Sequence, residues 1–210
     1  MTRSYLDIAT TPSVAAAQTR LGSRELNAEA AERRVFTRFG DDEAAFIAAR
    51  DSFYLATVSE TGWPYVQHRG GPPGFLRVLD EKTLGVADFG GNRQYLTLGN
   101  LAASDKASLF LMDYLHQGRM KLFVRARAVD LTQNPDLAAR LATPGYRARI
   151  ERGLIFELEA LDWNCRQHIV KRLTLPEVAS VTAAMQERIA ALEAENASLR
   201  AISAPPRADL

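Results

Sequence analysis

Gln67, His68 and Arg69 run into Gly70, Gly71, Pro72, Pro73 and Gly74, so three polar side chains stand beside nearly bare backbone. On a strand Gln67 and Arg69 face one way and His68 the other, and the first face suits a planar polar ligand. The glycines and prolines also read as a tight loop between strands. In DFGGNRQYLTLGNL, residues 88–101, Gly90 and Gly91 make a turn and Asn92, Arg93 and Gln94 enter a helix whose first amides carry partial positive charge. An arginine there opposes the helix dipole unless an anion is bound, which makes the turn a candidate phosphate site. The competing reading is an exposed arginine with no specific contact. The stretch matches neither the Walker loop nor GxGxxG.

A third stretch, LDWNCRQHIVKRL at 161–173, gathers stacking and hydrogen-bonding groups: Trp163, Asn164, Cys165, Gln167 and His168. One cysteine and one histidine do not make a metal site, and His68 and His116 are not spaced to complete it, so no metal is expected. A Cys165/His168 nucleophilic pair would need an orienting partner and a lowered thiol pKa. Buried cysteine is more often inert packing, and Cys165 is not counted as catalytic.

The elements that position these groups follow from pattern and composition. A chain of 210 residues with 47% hydrophobic content suits one domain with appendages. Twenty-six basic against 25 acidic residues leave a net charge of +1, so no nucleic-acid partner is expected and any anion site must be local. One cysteine fits a reducing compartment. With no charged-then-apolar leader and no apolar run of the ~18 residues needed to span a bilayer, the expected location is cytoplasmic, with no membrane partner.

Residues 1–40 read as a helical extension that packs on the body or on a second chain, with a helix from Pro12 capped by Thr10 or Thr11 and continuing through VAAAQTRLGSREL. DDEAAFIAAR, 41–50, is a short helix with acids at its positive end. Seven segments rich in β-branched and aromatic residues then read as strands: 53–59, 64–69, 75–79, 83–89, 107–114, 120–131 and 153–163. Helices are expected over 92–104 and 134–142. Short strands without a helix between each pair point to an antiparallel barrel spanning 41–175. Residues 176–203 read as a long helix, and from the preceding Leu175 onward Leu175, Val178, Thr182, Met185, Ile189, Leu192, Asn196 and Leu199 alternate three and four spacings, a seam of about three heptads. Asn196 would hold a core position that fixes register. An amphipathic helix lying on its own barrel is the alternative. Residues 204–210 are expected to be disordered.

GWPYVQHRGGPPG, DFGGNRQ with its following helix, and the strands ending in WNCRQH together resemble the pyridoxamine 5′-phosphate oxidase-related family of FMN-binding split barrels. The resemblance covers about residues 10–175, including the TPSVAAAQTRLGSR leader. It implies a mainly β (α+β) fold, a six- or seven-stranded antiparallel split barrel with flanking helices, and a homodimer with FMN in grooves between subunits. Val66, Gln67, His68 and Arg69 match the strand along the flavin, and Asn92, Arg93 and Gln94 match the turn holding its phosphate. Trp163, Asn164 and Gln167 match a segment that reaches the flavin from the partner chain.

The implied activity is that of an FMN-dependent oxidoreductase acting on a small molecule, with a nicotinamide donor or a reduced substrate as electron source. No side chain is singled out as proton donor; Tyr65 and His68 are the available ones. The paired-arginine substrate signature of true pyridoxamine phosphate oxidases is not reproduced by Lys171 and Arg172, which argues against vitamin B6 oxidation. The rival readings are a flavin, haem or deazaflavin holder or sensor without turnover, and a scaffold acting through its coiled-coil tail.

Overall fold

The computed structural model describes residues 3–163 and 167–203, so Asn164, Cys165 and the 204–210 tail lie outside the described residues. The chain separates into two units, Met1–Ile169 and Val170–Leu210.

The larger unit is built on β1 (Ser52–Val58), β2 (Pro64–Gly70), β3 (Leu76–Val78), β4 (Thr83–Phe89), β5 (Lys106–Asp113), β6 (Gly118–Val129) and β7 (Ile150–Trp163). All pairings are antiparallel, in the order β2-β1-β5-β6-β7-β4-β3. The sheet curls into the split barrel that the short, turn-bounded strands imply. β6 and β7 are the longest strands, and a register shift between Phe123 and Val124 adds the local twist that lets them bend.

Alternation fills the interior. β1 buries Phe53, Leu55 and Thr57, and the Phe53 ring stacks on Phe75 with centroids 5.7 Å apart. Phe156 of β7 meets Phe53 edge-on at 6.1 Å. β4 is buried along most of its length because its outer face is covered by α6 (Pro135–Leu141), whose Leu141 clusters with Ala87 and Ile155. A Cβ at Gly85 would stand 2.7 Å from Leu141, so glycine there admits the helix.

The N-terminal region differs from expectation in two places. α1 (Tyr5–Ala9) was not anticipated; Ser4 and Asp7 cap it reciprocally, and Tyr5 is buried with its ring stacked on Phe123 at 4.3 Å. The helix from Pro12, capped by Thr11, stops at Arg20 as α2, and α3 (Arg24–Arg33) follows. Gly22 takes a left-handed φ of 71°, while Ser23 N–H donates to the Gln18 carbonyl at 2.8 Å and Gly22 N–H to that of Thr19 at 3.2 Å. Those bonds form a Schellman motif, which ends a helix that propensity alone would continue. α4 (Asp41–Ala48) then leads into β1.

The helix expected over 92–104 begins only at Leu96, as α5 (Leu96–Ala103). Arg93 and Tyr95 have left-handed φ values of 61° and 55°, and the Asn92 side chain accepts from Gln94 N–H at 3.1 Å. The two left-handed residues interrupt helical backbone until Leu96.

The second unit contains α7 (Leu175–Ser203), a helix of 29 residues. Among the described residues no helix is long and apolar enough to cross a membrane.

Candidate functional site

β2, the end of β4, the 90–95 turn and the start of β7 converge on a cavity of about 230 Å³. Strand alternation decides which β2 side chains enter it: Tyr65, Gln67 and Arg69 are half-buried, whereas Val66 and His68 are exposed. His68 borders the cavity at its edge and meets the Tyr54 ring 5.6 Å away, while Val66 does not line it. The Tyr65 hydroxyl donates to the Gln67 side-chain oxygen, and Gln67 Nε2 donates to the His68 carbonyl at 3.2 Å.

The cavity floor is an ion-pair network absent from the sequence reading. Asp88, only 7% exposed, receives the Arg69 guanidinium on one oxygen and Arg152 Nη1 on the other at 3.2 Å. Arg152 also donates to Glu151 at 2.9 Å and lies over the Tyr95 ring at 5.2 Å. Two carboxylates therefore meet three guanidiniums once Arg93 is counted, since all five side chains line the cavity. A hydrogen bond to the Tyr95 side chain, its charge and then the Glu151 charge raise the Arg93 pKa above the ordinary arginine value. The Nε of Arg69 is buried without a hydrogen-bond partner. Such an orphaned donor is costly unless something accepts from it.

Asn92, Arg93 and Gln94 all line this cavity, but as a turn ahead of α5 rather than as its first helical residues. Tyr95 gives α5 no side-chain cap, so its leading amides receive no side-chain acceptor from that position. Asn100 Nδ2 ties α5 to Thr57 of β1 at 2.9 Å.

The bare stretch after Arg69 serves the loop reading at two positions. A Cβ at Gly71 would lie 2.7 Å from the Phe75 ring, and Gly74 has a φ of 79°. Gly70 does line the cavity.

Trp163 and Gln167 lie elsewhere in the same chain. The Trp163 indole N–H donates to Glu43 at 2.8 Å, and its ring meets Phe46 edge-on at 4.8 Å. Trp163 ends the strand whose beginning carries Arg152. At ~3.3 Å per residue those positions are separated by about 35 Å of strand. Among the cavity residues missed, Asp88, Glu151, Arg152 and Tyr95 carry the charge network and its stacking partner. The available signal was an acid, Asp88, in the otherwise apolar TLGVADF strand.

A second cavity, of about 520 Å³ and mostly apolar, lies on the outer side of β1, β5 and β6; Ile8, Val58 and Phe123 line it, with Arg3, Lys106, Arg125 and Glu159 among its polar members. Among the described residues no cluster of three or more metal-binding side chains is present.

Residues 39–161 match the family model described as pyridoxamine 5′-phosphate oxidase. No curated protein matches the chain. Among solved structures, one from Lactobacillus delbrueckii titled as a putative pyridoxamine 5′-phosphate oxidase is 19% identical, covering 60% of this chain and 94% of that one with a TM-score of 0.46. A protein from Syntrophomonas wolfei titled as FMN-binding is 17% identical over 73% of this chain and 95% of that one, with a TM-score of 0.45. A putative pyridoxamine 5′-phosphate oxidase from Listeria innocua is 8% identical over 59% of this chain and 95% of that one, with a TM-score of 0.44. The matched segment takes in every side chain of the first cavity and stops short of Trp163. The chain belongs to the pyridoxamine 5′-phosphate oxidase family.

Proposed function

We propose that this member of the pyridoxamine 5′-phosphate oxidase family holds FMN between two copies of the chain and acts as a flavin-dependent oxidoreductase on a small molecule, with a nicotinamide donor or a reduced substrate as electron source. The observation that carries this reading is the surplus cation in the cavity. Among the described residues lining it, the three guanidiniums of Arg69, Arg93 and Arg152 meet two carboxylates, Asp88 and Glu151, and Arg69 keeps a buried Nε with no acceptor. A phosphate fits that donor set through charge-assisted hydrogen bonds. Arg69 and Arg93 would hold it, the leading amides of α5 would assist, and Gln67, Asn92 and Gln94 would supply the mixed donors and acceptors that a flavin edge needs.

A cavity of about 230 Å³ is smaller than the roughly 300 Å³ at which small-molecule pockets begin. One chain would therefore enclose only part of the cofactor. Trp163 and Gln167, which do not line this cavity, would reach it from a second copy. Exposed Tyr54, Val58 and Val66 on β1 and β2, beside the apolar groove, support such a partner. When bound, FMN would supply two-electron redox chemistry; the chain would supply anchoring, orientation and a hydroxyl, that of Tyr65, already oriented by Gln67.

Asp88 and Glu151 are both engaged in ion pairs, which favours a second reading, a cofactor holder without turnover. The absorbance spectrum of the purified protein, with its released chromophore weighed by mass spectrometry, tests both. FMN that bleaches on anaerobic addition of NADH or NADPH is expected. FMN that resists these donors and candidate reduced substrates favours the holder, whereas haem, a deazaflavin or failure to take up FMN overturns the cofactor assignment.

A further inference from the structure

We propose that α7 is one strand of a parallel, two-stranded coiled coil whose other strand is α7 of a second copy of this chain. The seam is continuous: taking Leu175 as a, the a positions are Leu175, Thr182, Ile189 and Asn196, and the d positions are Val178, Met185, Leu192 and Leu199. Val178, Met185, Ile189 and Leu192 are exposed. Four apolar side chains in line on a single helix are an interaction surface rather than scattered exposure.

Which occupant the seam takes follows from its chemistry. β-branched Ile189 at a with leucine at d favours two parallel strands. Asn196 at an a position narrows the choice further. In a parallel pair the a residues face each other, so the two Asn196 amides can bond to one another; in an antiparallel pair a faces d, and each amide would be buried against an apolar side chain.

The flanking charges agree independently. In a parallel pair each g position meets the e position of the next heptad on the other strand. Arg188 at g then meets Glu193, and Glu195 at g meets Arg200, with each contact repeated by symmetry. Every charged g–e contact in the seam is thus attractive between identical chains, so the helix is complementary to itself. The helix also has its own start signal: Thr174 and Glu177 form a reciprocal cap, with Thr174 N–H donating to Glu177 at 2.7 Å. Alanines at many outward positions favour helix without needing a third partner.

Oxidative cross-linking of the full-length chain in a Cys165→Ser background tests this. A thiol at Leu192→Cys should form a covalent dimer about tenfold faster or more than one at Ala194→Cys, because d positions face across the seam within disulfide reach and f positions face away. This contrast reads α7 alone, whether or not the barrels associate or bind FMN. Arg188→Glu with Arg200→Glu in that background should abolish the advantage, and mixing this protein with Glu193→Arg/Glu195→Arg should restore it as a heterodimer. Equal rates at Leu192→Cys and Ala194→Cys, or rates indifferent to the charge reversals, would overturn the coiled coil.

Discussion

The two ends of β7 solve the same electrostatic problem and leave different results. At its start, Arg152 and Arg69 converge on buried Asp88. At its end, Asp162, 3% exposed, is ion-paired with Arg34 at 2.7 Å and Lys121 at 3.6 Å, and its Oδ1 has no hydrogen-bond partner. Around Asp162 the space is filled: Tyr5 stacks on Phe123, Lys121 lies over the Tyr5 ring at 4.6 Å, and Trp163 is tied to Glu43. Burial, with a further contribution from Asp162, pushes the Tyr5 phenol above its ordinary pKa and keeps it neutral. Around Asp88 the network borders a cavity, carries the additional cation Arg93 and leaves Arg69 Nε without a partner. A buried acid between two cations is therefore no functional signal by itself. Each end keeps one unmet buried polar atom, Arg69 Nε and Asp162 Oδ1; the surplus cation and the open space beside it are what distinguish the two.

The largest effect should come from removing the acids. Asp88→Ala leaves two guanidiniums without their shared counter-charge and should cost about 3–5 kcal/mol. Asp162→Ala should cost less, because the Arg34 side chain is 40% exposed. Thermal melts with and without inorganic phosphate separate the ends. Phosphate should recover part of the loss in Asp88→Ala and none in Asp162→Ala; equal recovery, or none in either, would erase the distinction.

Most of the fold is legible in the sequence, for identifiable reasons. β-branched runs bounded by ETGWP, GPPG and LDEK locate the strands. The charge network is not legible in that way, since Arg69, Asp88 and Arg152 meet only through the order β2-β1-β5-β6-β7-β4-β3, which local pattern does not specify. Asn92, Arg93 and Gln94 are found at the cavity, yet the helix behind them starts late because Arg93 and Tyr95 take left-handed backbone, which local composition does not announce. α1 was readable from Ser4 and Asp7, a capping pair that precedes too short an apolar run to stand out.

A third buried carboxylate sharpens the comparison through pH. Burial pushes the Asp113 carboxyl up, but the His116 N–H, the His116 ring and Arg50 together outweigh it and leave its pKa below the usual aspartate value. A carboxyl depressed in the folded state contributes stability above its unfolded pKa of about 3.9 and loses it as pH falls through the folded value. The melting temperature should therefore drop on acidification below about pH 4, and Asp113→Asn should be less stable at neutral pH with a shallower acid limb. Parallel curves for the two proteins would show that Asp113 contributes nothing to acid sensitivity.

The smallest effect is expected at Trp163. Trp163→Phe removes one hydrogen bond to Glu43 and should cost about 1 kcal/mol in a chemical denaturation series. If a second copy brings this residue to the flavin, FMN should quench tryptophan fluorescence in the parent and much less in Trp163→Phe. Trp63, 76% exposed in the turn before β2, is the control. Quenching that follows Trp63→Phe instead would remove the C-terminal end of β7 from the site.

The phosphate assignment is tested most directly by calorimetric titration of FMN and riboflavin into the parent protein and Arg93→Ala. A charge-assisted contact contributes about 1.5–3 kcal/mol, so Arg93→Ala should weaken FMN binding by roughly tenfold or more. Riboflavin, which lacks the phosphate, should bind both proteins alike. Equal losses for the two ligands, or no loss for FMN, would contradict a phosphate site at the head of α5.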